Sequence, residues 1–299
     1  MWGIFGVFGV TSPPVSVVIP VYNGEKTLRK CLKSVSNQTY GNYSIIVVDN
    51  NSSDDSKAII KEFQKQNSNL SYVFEPRPGR GTARNAGINS AKGSIIAMTD
   101  SDCVVPENWI EELVSPIVKG KESAVMGFEY SLIGSFWAGN VQQDESEWVQ
   151  RNLEGKYINT IDSKNFAIKA SLMKKLMFDP NLKRCIDLDL ALRLKGISKV
   201  RFLPAVKVGH AHPGSLWKTF AVNFDKAYWH AKLNRKHKGR GMASGRLSEI
   251  SSVGKIPLTI SRKISETSGV PLRRKFFLLV RGVAWTTGLV WSRAKDFLP

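Results

Sequence analysis

The segment Thr99-Asp100-Ser101-Asp102 follows the apolar run Ser94-Ile95-Ile96-Ala97-Met98. Side chains alternate along an extended chain, so Asp100 and Asp102 leave the end of a strand on one side of the backbone. Carboxylates so placed can share one divalent cation and the phosphate oxygens it carries, because hard cations take oxygen ligands. A strand ending in Asp-x-Asp therefore points to a metal–diphosphate site; standing alone it reads more readily as a solvated turn. A second acidic pair lies in Asp187-Leu188-Asp189, with Arg193 four residues after Asp189 and Gly196 just beyond. That pattern predicts a short helix starting at Asp187 and capped near Gly196. His210 and His212, in Val208-Gly209-His210-Ala211-His212-Pro213, are spaced to face one way. Imidazole accepts Mn²⁺ and suits Mg²⁺ poorly; ordinary loop histidines remain the other reading.

The elements that must hold these residues are legible from periodicity. Val15 to Ile19 is a β-branched run ending at Pro20, followed by the turn Val21-Tyr22-Asn23-Gly24. Leu28, Cys31, Leu32 and Val35 then recur at helical spacing within Glu25 to Val35. Ser44 to Val48 predicts a second strand that ends at Asp49 and the polar cluster Asn50 to Asp55. A helix carried by Ala58, Ile59, Ile60 and Phe63 comes next, then a short strand at Tyr72-Val73-Phe74 and a small-residue helix from Gly81 to Ala91. Alternating strands and helices predict an α/β domain with a mainly parallel, Rossmann-like sheet and ligands at the carboxyl ends of the strands. Asn23, Asp49 and Asp102 all fall at such ends. Gly79-x-Gly81-x-x-Arg84 lacks the last glycine of a dinucleotide fingerprint, and no Walker sequence is present.

In this order and spacing the words Val15 to Asn23, Ile46 to Asp54, Gly81 to Gly87, Thr99 to Asp102, Lys164 to Lys169, Phe178 to Pro180 and Asp187 to Arg193 resemble glycosyltransferase family 2. That family comprises inverting nucleotide-sugar transferases of the GT-A fold, and the resemblance covers residues 14–215. It implies that Pro20, Tyr22 and Asn23 line the base and ribose pocket, that Asp49 accepts from the nucleobase (uracil being the expected base), and that Arg84 lies near the diphosphate. It implies further that Asp100 contacts ribose or metal, and that Asp102 holds Mn²⁺ or Mg²⁺ with a histidine, His210 or His212, completing the shell. Asp187 matches the base that removes the proton from an acceptor hydroxyl. The glutamate that usually precedes this aspartate is Ile186 here. Without the resemblance, Asp49 reads as an Asx turn, Arg84 as an exposed helix charge and Asp187 as a helix cap. The aromatics Phe128, Tyr130, Phe136, Trp137 and Trp148 lie where the family places acceptor recognition.

Charge divides the chain. Residues 1–194 hold 22 Lys and Arg against 21 Asp and Glu, and residues 195–299 hold 21 against 4, so the last third carries +17 of the net +18. Such asymmetry implies an anionic partner, a membrane surface or a nucleic acid. Composition favours membrane. Leu216 to Leu233 predicts a helix with Trp217, Phe220, Ala221, Phe224, Tyr228 and Ala231 on one face, followed by a basic linker from Arg235 to Arg246. Phe276 to Trp291 is apolar but too short to span a bilayer, and Arg274, Arg281, Gly288 and Lys295 form one stripe seven residues apart. These features predict a helix lying in the interface, with Trp285 and Trp291 at headgroup depth. The alternative is a basic helical subdomain packed on the catalytic core.

The expected organisation is thus an apolar N-terminal segment (1–13), a GT-A domain (14–215) and a basic, amphipathic helical membrane-associating region (216–299). The first ten residues lack the basic region and cleavage site of a signal peptide. Three cysteines, Cys31, Cys103 and Cys185, are too few and too scattered for a disulfide framework or zinc cluster. The resulting expectation is a peripheral enzyme on the cytoplasmic face of a membrane. It would transfer a sugar from a nucleotide donor to a glycan or lipid-linked acceptor. The alternatives are a polyprenyl-phosphate sugar synthase and, in another class, an inactive transferase fold that binds nucleic acid.

Overall fold

A computed structural model describes residues 12–237 and 269–295. The apolar residues 1–11 and the linker beyond residue 237 lie outside the described residues. Chain order is β1 (Val15–Val21), α1 (Glu25–Ser36), β2 (Tyr43–Asp49), α2 (Ser56–Gln66), β3 (Leu70–Phe74), α3 (Arg80–Ser90) and β4 (Ile95–Met98). Next come β5 (Cys103–Val104), α4 (Trp109–Val118), β6 (Ala124–Ser131), α5 (Phe136–Asn152), β7 (Leu153–Glu154), β8 (Tyr157–Ile158) and β9 (Phe166–Lys169). The remaining elements are α6 (Ala170–Leu176), α7 (Ile186–Leu194), β10 (Val200–His210), α8 (Leu216–Lys236) and α9 (Leu272–Ala294).

One sheet runs β3-β2-β1-β4-β9-β6-β10-β8-β7, with β5 paired to β10. Strands β3, β2, β1 and β4 are mutually parallel, and β9 lies antiparallel between β4 and β6. Strand β1 is buried on both faces, which is why it reads as a continuous β-branched run rather than an alternating one. Beneath it Leu28, Cys31, Leu32 and Val35 of α1 are fully buried, as their spacing predicts. Each large aliphatic of this set contributes about 1.5–3 kcal/mol by burial. Small residues in α3 let it lie close on the other face. A Cβ on Gly87 would stand 2.4 Å from Val18 Cγ1 and 3.0 Å from Val48 Cγ2.

The far half of the sheet is aimed by a bulge. The β10–β6 register shifts between Leu203 and Lys207, where Pro204 has no N–H for a ladder. Buried Asn165 secures it, donating to Phe128 O and Val206 O, both at 2.9 Å, and accepting from the Trp109 indole at 2.9 Å.

The last two described helices pack on each other and on α5. Gly288 makes the approach possible, since a Cβ there would meet Phe224 O at 2.3 Å. Arg274 donates to Asn140 O and Oδ1 (2.9 Å each) and to Asp144 Oδ1 (2.7 Å), and Arg281 also reaches Asp144. Trp137 packs edge-on against Phe276 and at a tilt against Phe277, with ring centroids 6.0 and 5.9 Å away. The stripe of Arg274, Arg281 and Gly288, to which the spacing alone gives no direction, is therefore the packed face of α9. Trp285 lies against the His230 ring of α8, at 5.6 Å, rather than at the outer surface. Helix α8 likewise buries Thr219, Ala227 and Leu233 and leaves Trp217 exposed.

Candidate active site

The strand ends β1, β2 and β4 and the tip of β10 converge above the sheet. Asn23 sits after β1 with φ 50°, a left-handed turn position that Asn tolerates. Its N–H donates to Ser52 Oγ (3.0 Å), and its Oδ1 accepts from Ser53 N–H (2.9 Å), tying the loops after β1 and β2 together. Tyr22 is 66% exposed beside it, and Pro20 is half-buried within β1. Asp49 is buried at the end of β2; it accepts from Ser52 N–H at 2.9 Å and from the Tyr72 hydroxyl at 3.1 Å. Burial and the Asp49 charge push the Tyr72 phenol up to about 12, so it stays a donor. The Asx-turn geometry is present, and a carboxylate keeps further lone pairs for another donor. A Cβ on Gly24 would come within 3.4 Å of Ser101 Oγ, which brings this corner against Asp100 and Asp102.

Arg84 is not an exposed helix charge. It is 4% exposed, donates to Asp100 Oδ1 at 2.5 Å and lies 5.8 Å from the Phe178 ring. Burial works against its charge, and the charges of Asp100, Asp187 and Asp162 outweigh burial, holding it above its ordinary value. Its Nε has no hydrogen-bond partner among the described residues. Asp187 lies in the first turn of α7, after Cys185 in a left-handed conformation at φ 59°. Asp187 Oδ1 is buried without a hydrogen-bond partner, and its charge acts on both Arg84 and Asp162. The next acid but one, Asp189, is fully buried. It accepts from Arg193 Nε (2.8 Å), as the spacing predicts, and from Lys236 Nζ (2.6 Å), and it pairs with His237 Nε2 at 2.8 Å. Lys236 also reaches Asp179 at 2.6 Å. The C-terminal end of α8 is thereby fastened to the helix that carries Asp187.

Asp102 Oδ2 stands 3.4 Å from His210 Nε2, and His210 Nδ1 stands 3.3 Å from Glu129 Oε2. The His212 ring packs edge-on against His210 at 4.7 Å, with its Nε2 3.9 Å from Glu129 Oε1. Lys164 Nζ joins Glu129 (3.1 Å) to Asp162 (3.0 Å). Burial opposes the charge on His210, but the carboxylates at its two ring nitrogens overcome it and raise the group to about 9. Burial lowers His212 to about 4. Burial, together with the Glu129 and Asp187 charges and against that of Lys164, raises Asp162 to about 6. Glu129 is held well below the carboxylate range, because Lys164 and the two histidines outweigh its burial.

Two donor sets could take a cation. Glu129, His210 and His212 bring ligand atoms within 4.8 Å of one another, but the Lys164 ammonium already neutralises Glu129. Asp102 with His210 Nε2 faces the open side, Asp102 being 39% exposed. Donors about 2.1 Å from one cation stand about 3.0–3.4 Å apart, so this pair fits one. Glu129 on the other ring nitrogen then matches the carboxylate–histidine–metal arrangement. Sequence reasoning named Asp102 and the histidines but missed Glu129, Asp162 and Lys164. The word Lys164-Asn165 was the one available signal, since a lysine so close to a buried strand needs a carboxylate partner.

Solved structures share this architecture. A mannosyltransferase from Pyrobaculum calidifontis, in complex with GDP-mannose and Mn²⁺, superposes with TM-score 0.70 at 17% identity, covering 97% of this chain and 88% of that one. Glucosyl-3-phosphoglycerate synthase from Mycobacterium tuberculosis, with Mn²⁺, UDP and glucosyl-3-phosphoglycerate, superposes with TM-score 0.58 at 20% identity over 75% and 80% of the two chains. The fold is thus GT-A. A profile described as Glycosyl transferase family 2 matches residues 16–178, and the chain belongs to that family. Glycosyltransferase GlyA of Streptococcus pneumoniae is 34% identical over 179 residues, 55% of this chain and 26% of that protein. Glycosyltransferase AglE of Haloferax volcanii is 43% identical over 110 residues, 36% of each. The matched regions thus span about a quarter to a third of these relatives.

Proposed function

We propose that the protein transfers a sugar, with inversion, from a nucleoside-diphosphate sugar to a hydroxyl of a lipid-linked or other membrane-borne glycan acceptor. The observation that carries the reading is the buried, unbonded Asp187 Oδ1, placed among the charges of Arg84, Asp100 and Asp162. Asp187 takes the proton from the acceptor hydroxyl. The acceptor oxygen then bonds to the anomeric carbon as the bond from that carbon to the diphosphate breaks. Tyr22, Asn23 and Asp49 bind the nucleoside, with uracil offering an N–H to Asp49, and Asp100 meets the ribose while anchoring Arg84. Asp102 and His210 would hold Mn²⁺, which offsets charge on the leaving diphosphate. The wholly basic excess of residues 195–299 supports an acceptor at an anionic surface.

Calorimetric titration with UDP, GDP and their sugars, with and without Mn²⁺, tests the donor site in wild type and Asp102→Ala. Metal-dependent binding of one nucleotide, lost in the variant, is the expected outcome. No binding of any nucleotide would sink the reading.

A further inference from the structure

With Arg274 and Arg281 turned inward to Asp144, the outer face of α9 is left apolar. Leu272 is 83% exposed, and Phe276, Leu279, Val283 and Val290 continue the stripe, each between 42% and 49% exposed. At 1.5 Å per residue this stripe is about 27 Å long. Contiguous exposed apolar surface of this kind marks a contact site. Among the described residues nothing covers it. Its borders are basic: Arg273 and Lys275 stand at one end of the helix and Arg293 and Lys295 at the other, and α9 has no Asp or Glu.

Those facts select the occupant. No described helix is long and apolar enough to cross a membrane, and the inner face of α9 is committed to Asp144 and α8, so lipid can reach one side only. A second copy docked through the same stripe would set basic borders against basic borders, since an isologous contact repeats the same patch and α9 offers no acid to pair them. An anionic bilayer satisfies both features, with apolar side chains at the acyl boundary and cations on headgroup phosphates. We propose that α9 docks flat on an anionic lipid bilayer through Leu272, Phe276, Leu279, Val283 and Val290. This deepens the membrane-acceptor part of the function proposed above and rests on that part, not on the nucleotide site. Because Lys236 and His237 fasten α8 to the helix of Asp187, the docked pair would hold the base at a set distance from the surface.

The test is flotation of the full chain with vesicles of phosphatidylcholine alone and of phosphatidylcholine doped with phosphatidylglycerol. Wild type is expected to float with the anionic vesicles only. Leu279→Glu combined with Val283→Glu should lower partition at least tenfold while nucleotide binding, titrated without vesicles, stays at the wild-type value. A milder variant, Arg273→Gln with Lys295→Gln, leaves the packing intact and should lower partition about thirtyfold, about fivefold per cation lost. Wild type that fails to float, or variants that float as well as wild type, would overturn the proposal. So would a wild-type dimer that the glutamates convert to monomer while neither form floats. Flotation intact with no nucleotide bound would sink the donor reading and leave the lipid surface standing.

Discussion

The two Asp-x-Asp segments share a spacing and differ in everything else. After β4 the chain leaves the sheet, and Asp100 and Asp102 both remain open to the cleft, one held by Arg84 and the other beside His210. In α7 the same two-residue step turns the side chains about 200° apart. Asp187 keeps a free oxygen in the site, while Asp189 goes inward to Arg193, Lys236 and His237. Residue type is identical in the two places, so backbone geometry separates the acids that stay open to the cleft from the one that holds the frame.

The sharpest way to break this comparison is to exchange the roles by mutation. Asp187→Asn is expected to reduce sugar transfer about 10²–10⁴-fold, the usual worth of a positioned base, with nucleotide affinity unchanged by calorimetry. Little change in turnover would instead favour a phosphate acceptor, which needs no base.

Asp189→Ala should act on stability. Removing one partner of a buried ionic cluster costs about 3–5 kcal/mol, measurable by urea denaturation at neutral pH. The pH dependence sharpens it. Burial opposes ionisation of Asp189, and the hydrogen bonds from Lys236, His237 and Arg193 overcome that, holding the carboxyl below its ordinary value. Its stabilisation is therefore complete above the unfolded value of about 4 and fades as pH falls through the folded one. The gap between wild type and Asp189→Ala should narrow on acidification from pH ~5 to ~3. A gap that stayed constant would show that the acid contributes packing rather than charge.

The smallest expected effect concerns support of the open pair. Glu129→Gln removes the carboxylate behind His210 and should weaken Mn²⁺ binding about 10–100-fold, read by titration of the metal alone. If His212→Ala weakened Mn²⁺ more than His210→Ala did, the buried donor set would be the metal site and the comparison of open with buried acids would fail there.

Much of the nucleotide half was legible because its determinants are local. Two-face burial of β1 writes a β-branched run, the α1 core face writes a 3.6-residue repeat, and strand ends carry Asn23, Asp49 and Asp102. Arg84 was legible as a candidate site residue but not as a buried one, since its partner Asp100 comes from the turn after β4, outside the α3 helix that carries Arg84. The sequence also disclosed the helical stripes of α9, but not their direction. Periodicity shows that Arg274, Arg281 and Gly288 share a face; only the arrival of Asp144, 130 positions from Arg274, turns that face inward and the apolar one out.

By itself, then, the sequence determined the element order from β1 to β4, the α/β class, the Asp-x-Asp pair and the charge asymmetry, because each can be read without knowing which distant segments meet. Tertiary structure alone decided that His210 rather than His212 stands between Asp102 and Glu129, that Lys164 bridges two buried acids, and that the end of α8 grips the helix of Asp187. Those outcomes depend on long-range pairing of charges that water would otherwise screen. Burial removes the screening, and which partners then meet is set by packing rather than by sequence distance.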